Sequence, residues 1–108
     1  MERRGVPRAE LQRVYVNKYV EGAPHAAEIL DLSEDGLRVR RIFEPESEQE
    51  RYCVELVVPS PDGSARDRIW LWTRRAWRRG DEEALAICWS DPLDRIRLRR
   101  FVQAATAA

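Results

Sequence analysis

The sequence predicts an all-β-dominated domain: a small six-stranded antiparallel barrel with one C-terminal helix. Two observations predict it. Apolar and polar residues alternate in six short runs separated by turn-forming Gly, Pro and Asp, and this alternation gives way after Ser90 to a helix-start pattern. A third observation favours closure: in "RIWLWTRRAW", Ile69 and Leu71 lie on one face while Trp70 and Trp72 lie on the other, so both faces need cover. One face can point into a barrel and the other can lie under the helix.

The elements follow in order. "VYVNKYV" (14–20) sets Val14, Val16 and Val20 against Tyr15, Asn17 and Tyr19, and "GAPH" turns the chain. "AAEILDL" and "GLRVRRIF" make the second and third strands, with Leu37, Val39 and the stem of Arg41 on one face. "EPESEQER" (44–51) reads as a solvated acidic connection. "YCVELVV" places Tyr52, Val54, Leu56 and Val58 together, and "PSPDGSARD" is a hairpin tip by its Pro and Asp-Gly content. "RIWLWTRRAW" and "EALAICWS" are the last two strands, broken around Gly80. Asp91 then suits an N-cap, Pro92 the first helical position, and Asp94 the free amides of the first turn. Leu93, Ile96, Phe101 and Val102 supply an apolar stripe for a helix over about 91–104, and residues 105–108 are expected to fray.

Composition bounds the function. The 108 residues suit one domain with a modest core, and 44% hydrophobic content argues against global disorder. Formal net charge is zero, against a protein that coats nucleic acid or anionic membrane by bulk attraction. No apolar run approaches a membrane span, and "MERRGVPRAE" has no secretory apolar core, so the expected location is cytoplasmic. Cys53 and Cys88 lie in apolar runs without CxxC spacing and read as two buried reduced thiols. His25 stands by itself at a turn with no metal-ligand or nucleophile spacing around it, so neither a metal, a cofactor nor an enzyme is expected. Carboxylate pairs such as Glu82 and Glu83 read as solvated charges.

Two segments carry more than their folding requires. In "DLSEDG" (31–36), Asp31 and Ser33 share one face of an extended segment. A carboxylate there can accept from an amide-like edge such as guanine N1/N2, and a hydroxyl can donate to phosphate. Gly36 offers a positive-φ turn and close approach to the backbone. Upstream, "RGVPR" presents Arg4 and Arg8 on a proline-stiffened stretch, and guanidinium groups fork onto phosphate and the O6/N7 edge of guanine.

In this order the segments resemble the two-part signature of the PilZ domain, Arg-x-x-x-Arg followed by Asp/Asn-x-Ser-x-x-Gly. "ERRGVPR", "ILDLSEDGLRV" and "ALAICWSD" extend the resemblance over nearly the whole chain as a stand-alone domain. It implies a six-stranded barrel that binds the bacterial second messenger cyclic di-GMP. Carried over, Arg4 and Arg8 clasp phosphate and guanine, with Arg3 as a further candidate; Asp31 and Ser33 bond the ligand from the barrel, and Gly36 shapes the turn. Val6 is smaller than the residue the family often carries there, which leaves the number of bound ligand copies open. Residues 1–10 are expected to form a mobile arm that orders on binding, with 11–104 as barrel and helix, and the changed surface is read by a partner protein. Motility, surface-polysaccharide production and gene control are all compatible with the resemblance, and nothing in these residues chooses among them.

The rival readings are a PilZ-like adaptor that binds no nucleotide and a single-stranded nucleic-acid binder stacking bases on tryptophan. Core packing accounts for three of the four tryptophans and leaves Trp77, within "RRAWRRG", nearest the surface. That cluster reads as a solvated strand end, or else as a docking patch for an acidic partner or a source of extra contacts to the ligand.

Overall fold

The computed structural model describes residues 8–60 and 62–107. Its elements are β1 (Arg8–Val20), β2 (Ala23–Ser33), β3 (Gly36–Arg41), β4 (Arg51–Pro59), β5 (Arg66–Arg79), β6 (Glu82–Trp89) and α1 (Pro92–Ala107). The strands close a barrel in the order β1-β2-β3-β6-β5-β4, every neighbouring pair antiparallel. Closure leaves the sheet without a free edge. The alternating runs supply the interior: Val16, Val20, Ile29, Leu32, Leu37, Val39, Tyr52, Val54, Leu56, Val58, Ile69, Leu71 and Leu85 form one buried cluster.

The first hairpin turns at Glu21-Gly22 rather than at "GAPH". Both residues have positive φ, 53° and 83°, which matches the twist of the flanking strands. β1 also begins earlier than expected. A register shift between Glu10 and Val14, with Arg13 at φ 60°, lets the chain resume pairing, so Arg8, Ala9 and Glu10 lie opposite Ser33, Leu32 and Asp31. Residues 8–10 of the expected arm are therefore strand, and residues 1–7 lie outside the described residues.

Helix α1 packs on β1 and β5 and sends Leu98 and Val102 into the core, with Phe101 packed against it. Of the expected stripe Phe101 and Val102 face the core while Leu93 and Ile96 are exposed, because the buried row is Asp94, Leu98, Val102 at intervals of four. Asp94 is held under the helix because its carboxylate accepts from the Trp70 backbone N–H at 3.3 Å. Asp91 caps the helix as expected, accepting from the Leu93 N–H at 3.0 Å. The helix continues past 104 through Ala107 instead of fraying at 105. Among the described residues, no helix is long and apolar enough to cross a membrane.

The interior also holds charge. Lys18, on the inward face of β1 between Val16 and Val20, is 0% exposed, and its Nζ donates to Glu44 Oε1 at 2.8 Å and to Glu83 Oε1 at 2.5 Å. Arg78 donates to Glu83 Oε2 from Nε at 3.1 Å and Nη2 at 2.7 Å, and Lys18 sits 4.1 Å from the centre of the Tyr52 ring. Burial works against the Arg78 charge, but its bonds to Glu83 outweigh that and raise its pKa. Glu44 and Glu83 are thus not solvated charges: an ammonium shut inside the barrel needs carboxylates, and both are drawn in to meet it. The thiols are free, but Cys53 is only half-buried and Cys88 is exposed, since both alternate away from the interior.

Candidate functional site

The outer face of the barrel carries one row of side chains across four strands. Asp31 on β2 pairs with Arg38 on β3, Arg38 with Ala84 on β6, and Ala84 with Trp77 on β5. The small residues Ala84 and Ala86, together with Gly36, leave a groove of about 360 Å³ between the charged end and the indole. Arg8, Asp31, Asp35, Arg38 and Trp77 are among its walls.

At the charged end Asp31 is nearly buried and bonds two arginines. Its Oδ1 accepts from Arg8 Nη1, and its Oδ2 accepts from Arg38 Nε at 2.8 Å. Arg38 reaches onward through Nη1 to Glu82 Oε1, also 2.8 Å. The hydrogen bond to Asp31, more than that to Glu82, raises the Arg38 pKa above the ordinary guanidinium value. Arg8 and Arg38 are half-exposed, so both cations border solvent while the carboxylate that pairs them does not.

Ser33 is fully buried, and its hydroxyl builds the turn: Oγ donates to Gly36 O at 3.3 Å and accepts from the backbone N–H groups of Asp35 and Gly36 at 3.2 and 3.3 Å. The Ser side chain supplies the local bonds of a tight turn. Gly36 does not take a positive φ. Its requirement is proximity, because a Cβ there would lie 2.7 Å from Leu85 O on β6. Glu34, at the turn's crest, accepts from Arg99 Nε of α1 at 3.0 Å, so the turn is tied to the helix as well.

Of the expected ligand residues, the structure brings Arg8, Asp31 and Gly36 to the groove and places Ser33 in the turn behind it; Arg3 and Arg4 lie outside the described residues. Arg38 and Glu82 join them without having been singled out for this site, and Trp77 joins them from the cluster that the sequence left open between a strand end, a docking patch and ligand contacts. The signal for Arg38 was its place in the hairpin: five residues beyond Ser33, it returns opposite Asp31. Trp77 is half-buried and stacks with the Arg79 guanidinium at 4.9 Å. The indole most open to solvent is instead Trp89, 54% exposed, followed by Trp72 at 45%; these two meet edge to face with centres 5.3 Å apart.

Solved structures share this architecture. The PilZ domain of YcgR from Escherichia coli, solved with c-di-GMP, matches with a TM-score of 0.63 at 15% identity, covering 96% of this chain and 92% of that one. The fold is that of a PilZ domain. The Bacillus subtilis inhibitor of motility MotI/DgrA matches with a TM-score of 0.74 at 15% identity over 96% of this chain, which spans 51%, about half, of that chain. An uncharacterized Legionella protein matches at 0.53 and 10% identity, over 90% of each chain. No family model and no curated protein matches the sequence.

On this PilZ barrel the groove joins two kinds of wall. Cations flank a carboxylate at one end, suited to phosphate oxygens and to a donor edge of a base, and an indole face closes the other, suited to stacking. Among the described residues, no group of His, Cys, Asp and Glu is placed to hold a metal ion.

Proposed function

We propose that this protein is a receptor for cyclic di-GMP that passes the signal to a partner protein, and that it is not an enzyme. The observation that carries the reading is the meeting of the two sequence segments: Arg8, from the upstream half, bonds Asp31, from the downstream half, at the mouth of a groove walled by Gly36 and Trp77. The solved YcgR domain with c-di-GMP supports it as a likeness of fold.

In this mechanism Arg8 leaves Asp31 for a ligand phosphate or guanine O6/N7, and Asp31 accepts from the guanine N1/N2 edge in its place. Arg4, with Arg3 beside it, closes over the ligand from the N-terminal side. Ser33 holds the turn in shape, and Trp77 offers its face to a base. Charged hydrogen bonds contribute roughly 1.5–3 kcal/mol each, and a micromolar complex needs about 8. A few such bonds reach that figure after the cost of ordering the N-terminal segment. The partner then reads the rearranged surface, in a process such as motility or polysaccharide production, in the bacterial cytoplasm.

A second reading, an adaptor that binds no nucleotide, draws on one observation: both Asp31 oxygens are already paired within the chain and the Ser33 hydroxyl is occupied. Isothermal calorimetry with cyclic di-GMP separates the two. A saturable heat together with a raised melting temperature is expected; neither, at millimolar ligand, removes the receptor reading in favour of the adaptor.

A further inference from the structure

The two arginines on Asp31 differ in how they are held. Arg8 stands at the first residue of β1, with its side chain 49% exposed, and it bonds Asp31 Oδ1. Arg38 stands within β3 and is tied at both ends of its guanidinium, Nε to Asp31 Oδ2 and Nη1 to Glu82 Oε1, each at 2.8 Å. Glu82 is in turn set by β6, whose backbone pairs with β3 at Arg40↔Glu82 and Arg38↔Ala84. One oxygen of the carboxylate therefore faces a partner with a single tether among the described residues, and the other faces a partner braced across two strands.

We infer that Arg38 is a positioning residue for ligand recognition: braced by Glu82, it fixes the Asp31 carboxylate so that Oδ1 can pass from Arg8 to the ligand. This inference rests on the receptor reading. A carboxylate oxygen has two lone-pair sites, so Oδ2 can keep Arg38 and still accept a second N–H from a guanine edge. The planar fork matters, because Asp31 and Glu82 are engaged by different nitrogens of one rigid group, which a lysine ammonium at the end of a flexible stem does not reproduce. Without Arg38 the carboxylate turns freely about its own bond, and the ligand must pay that orientation entropy itself.

The test is calorimetry with cyclic di-GMP on full-length variants whose melting temperatures are recorded alongside. Arg38→Gln is expected to weaken binding by about tenfold, and Glu82→Gln by a few-fold with no further loss once Arg38 is Gln, as coupled neighbours require. Arg38→Lys stays as weak as Arg38→Gln. In an Asp31→Asn background, Arg38→Gln costs less than about twofold, the non-additivity expected of a residue that acts through Asp31. Tighter or unchanged binding by Arg38→Gln overturns the inference, as does recovery by Lys or full additivity with Asp31→Asn, which marks direct contact with the ligand. Wild-type protein that takes up no ligand overturns the receptor reading and this inference with it; wild-type binding with an indifferent Arg38 overturns the inference and leaves the reading standing.

Discussion

The barrel contains two chains of alternating charge, and they differ in access to water. Inside, Lys18 and Arg78 meet Glu44 and Glu83 with Lys18 and Glu83 fully buried. On the outer face, Arg8 and Arg38 meet Asp31 and Glu82 with the arginines half in solvent. The residue types and distances are alike. What separates them is the cost of exchange: a partner lost inside leaves a buried charge with no water to replace it, whereas a partner lost from the groove is replaced by water or by a ligand. The same chemistry is thus a fixed plug in one place and an exchangeable contact in the other.

The comparison breaks most readily at Lys18. Lys18→Met takes the donor from Glu44 Oε1 and Glu83 Oε1 inside the barrel and is expected to cost about 3–5 kcal/mol in urea unfolding, with ligand affinity of the folded variant unchanged within about twofold. A loss below about 1 kcal/mol would make the interior chain as replaceable as the outer one. Next comes Gly36→Ala. Its methyl group meets Leu85 O at 2.7 Å, so a stability loss of roughly 1–3 kcal/mol is expected, with weaker binding as the groove floor shifts.

Arg8→Ala and Asp31→Ala should each cost tenfold or more in cyclic di-GMP affinity, about 1.4 kcal/mol, while the circular dichroism spectrum stays that of the native barrel. Unfolding of either variant at room temperature would assign the outer chain to structure. The smallest effect is that of salt. Between about 50 and 500 mM, ligand affinity should fall severalfold while the urea midpoint moves little, because screening reaches the groove and not the interior. Parallel losses in both measurements would erase the distinction.

Strand positions were readable from the sequence because an apolar barrel interior imposes period-two alternation, and Tyr52, Val54, Leu56 and Val58 are buried together for that reason. The interior charge was not. Lys18 occupies an inward position in that alternation, yet a lone lysine amid valines carries no mark of the two carboxylates that arrive from distant segments. Tryptophan size suggested burial for Trp72 and Trp89, but alternation points them outward, where they cover each other. At the groove, Arg8 and Asp31 could be named from their motif, whereas Arg38 needed the hairpin register and Trp77 needed the order in which non-consecutive strands close.

That last placement turns on Ala76. Along β5, Ile69, Leu71 and Thr73 are buried at odd positions; between Arg75 and Trp77 the pairing with β6 slips by one, and from there the even position, Arg78, meets the inward Glu83. The slip inverts the phase of the strand and so delivers Arg78 to the interior and Trp77 to the outside in a single step. Strict alternation carried through Ala76 would put both on the opposite side of the wall, taking the plug and the stacking face away together, and the same follows from adding or removing a paired residue just before it. Length in this strand is therefore far less free to drift than composition, and gains or losses of residues are better tolerated at the hairpin tips around Gly63 and Gly80, where a Cβ meets nothing within 4 Å.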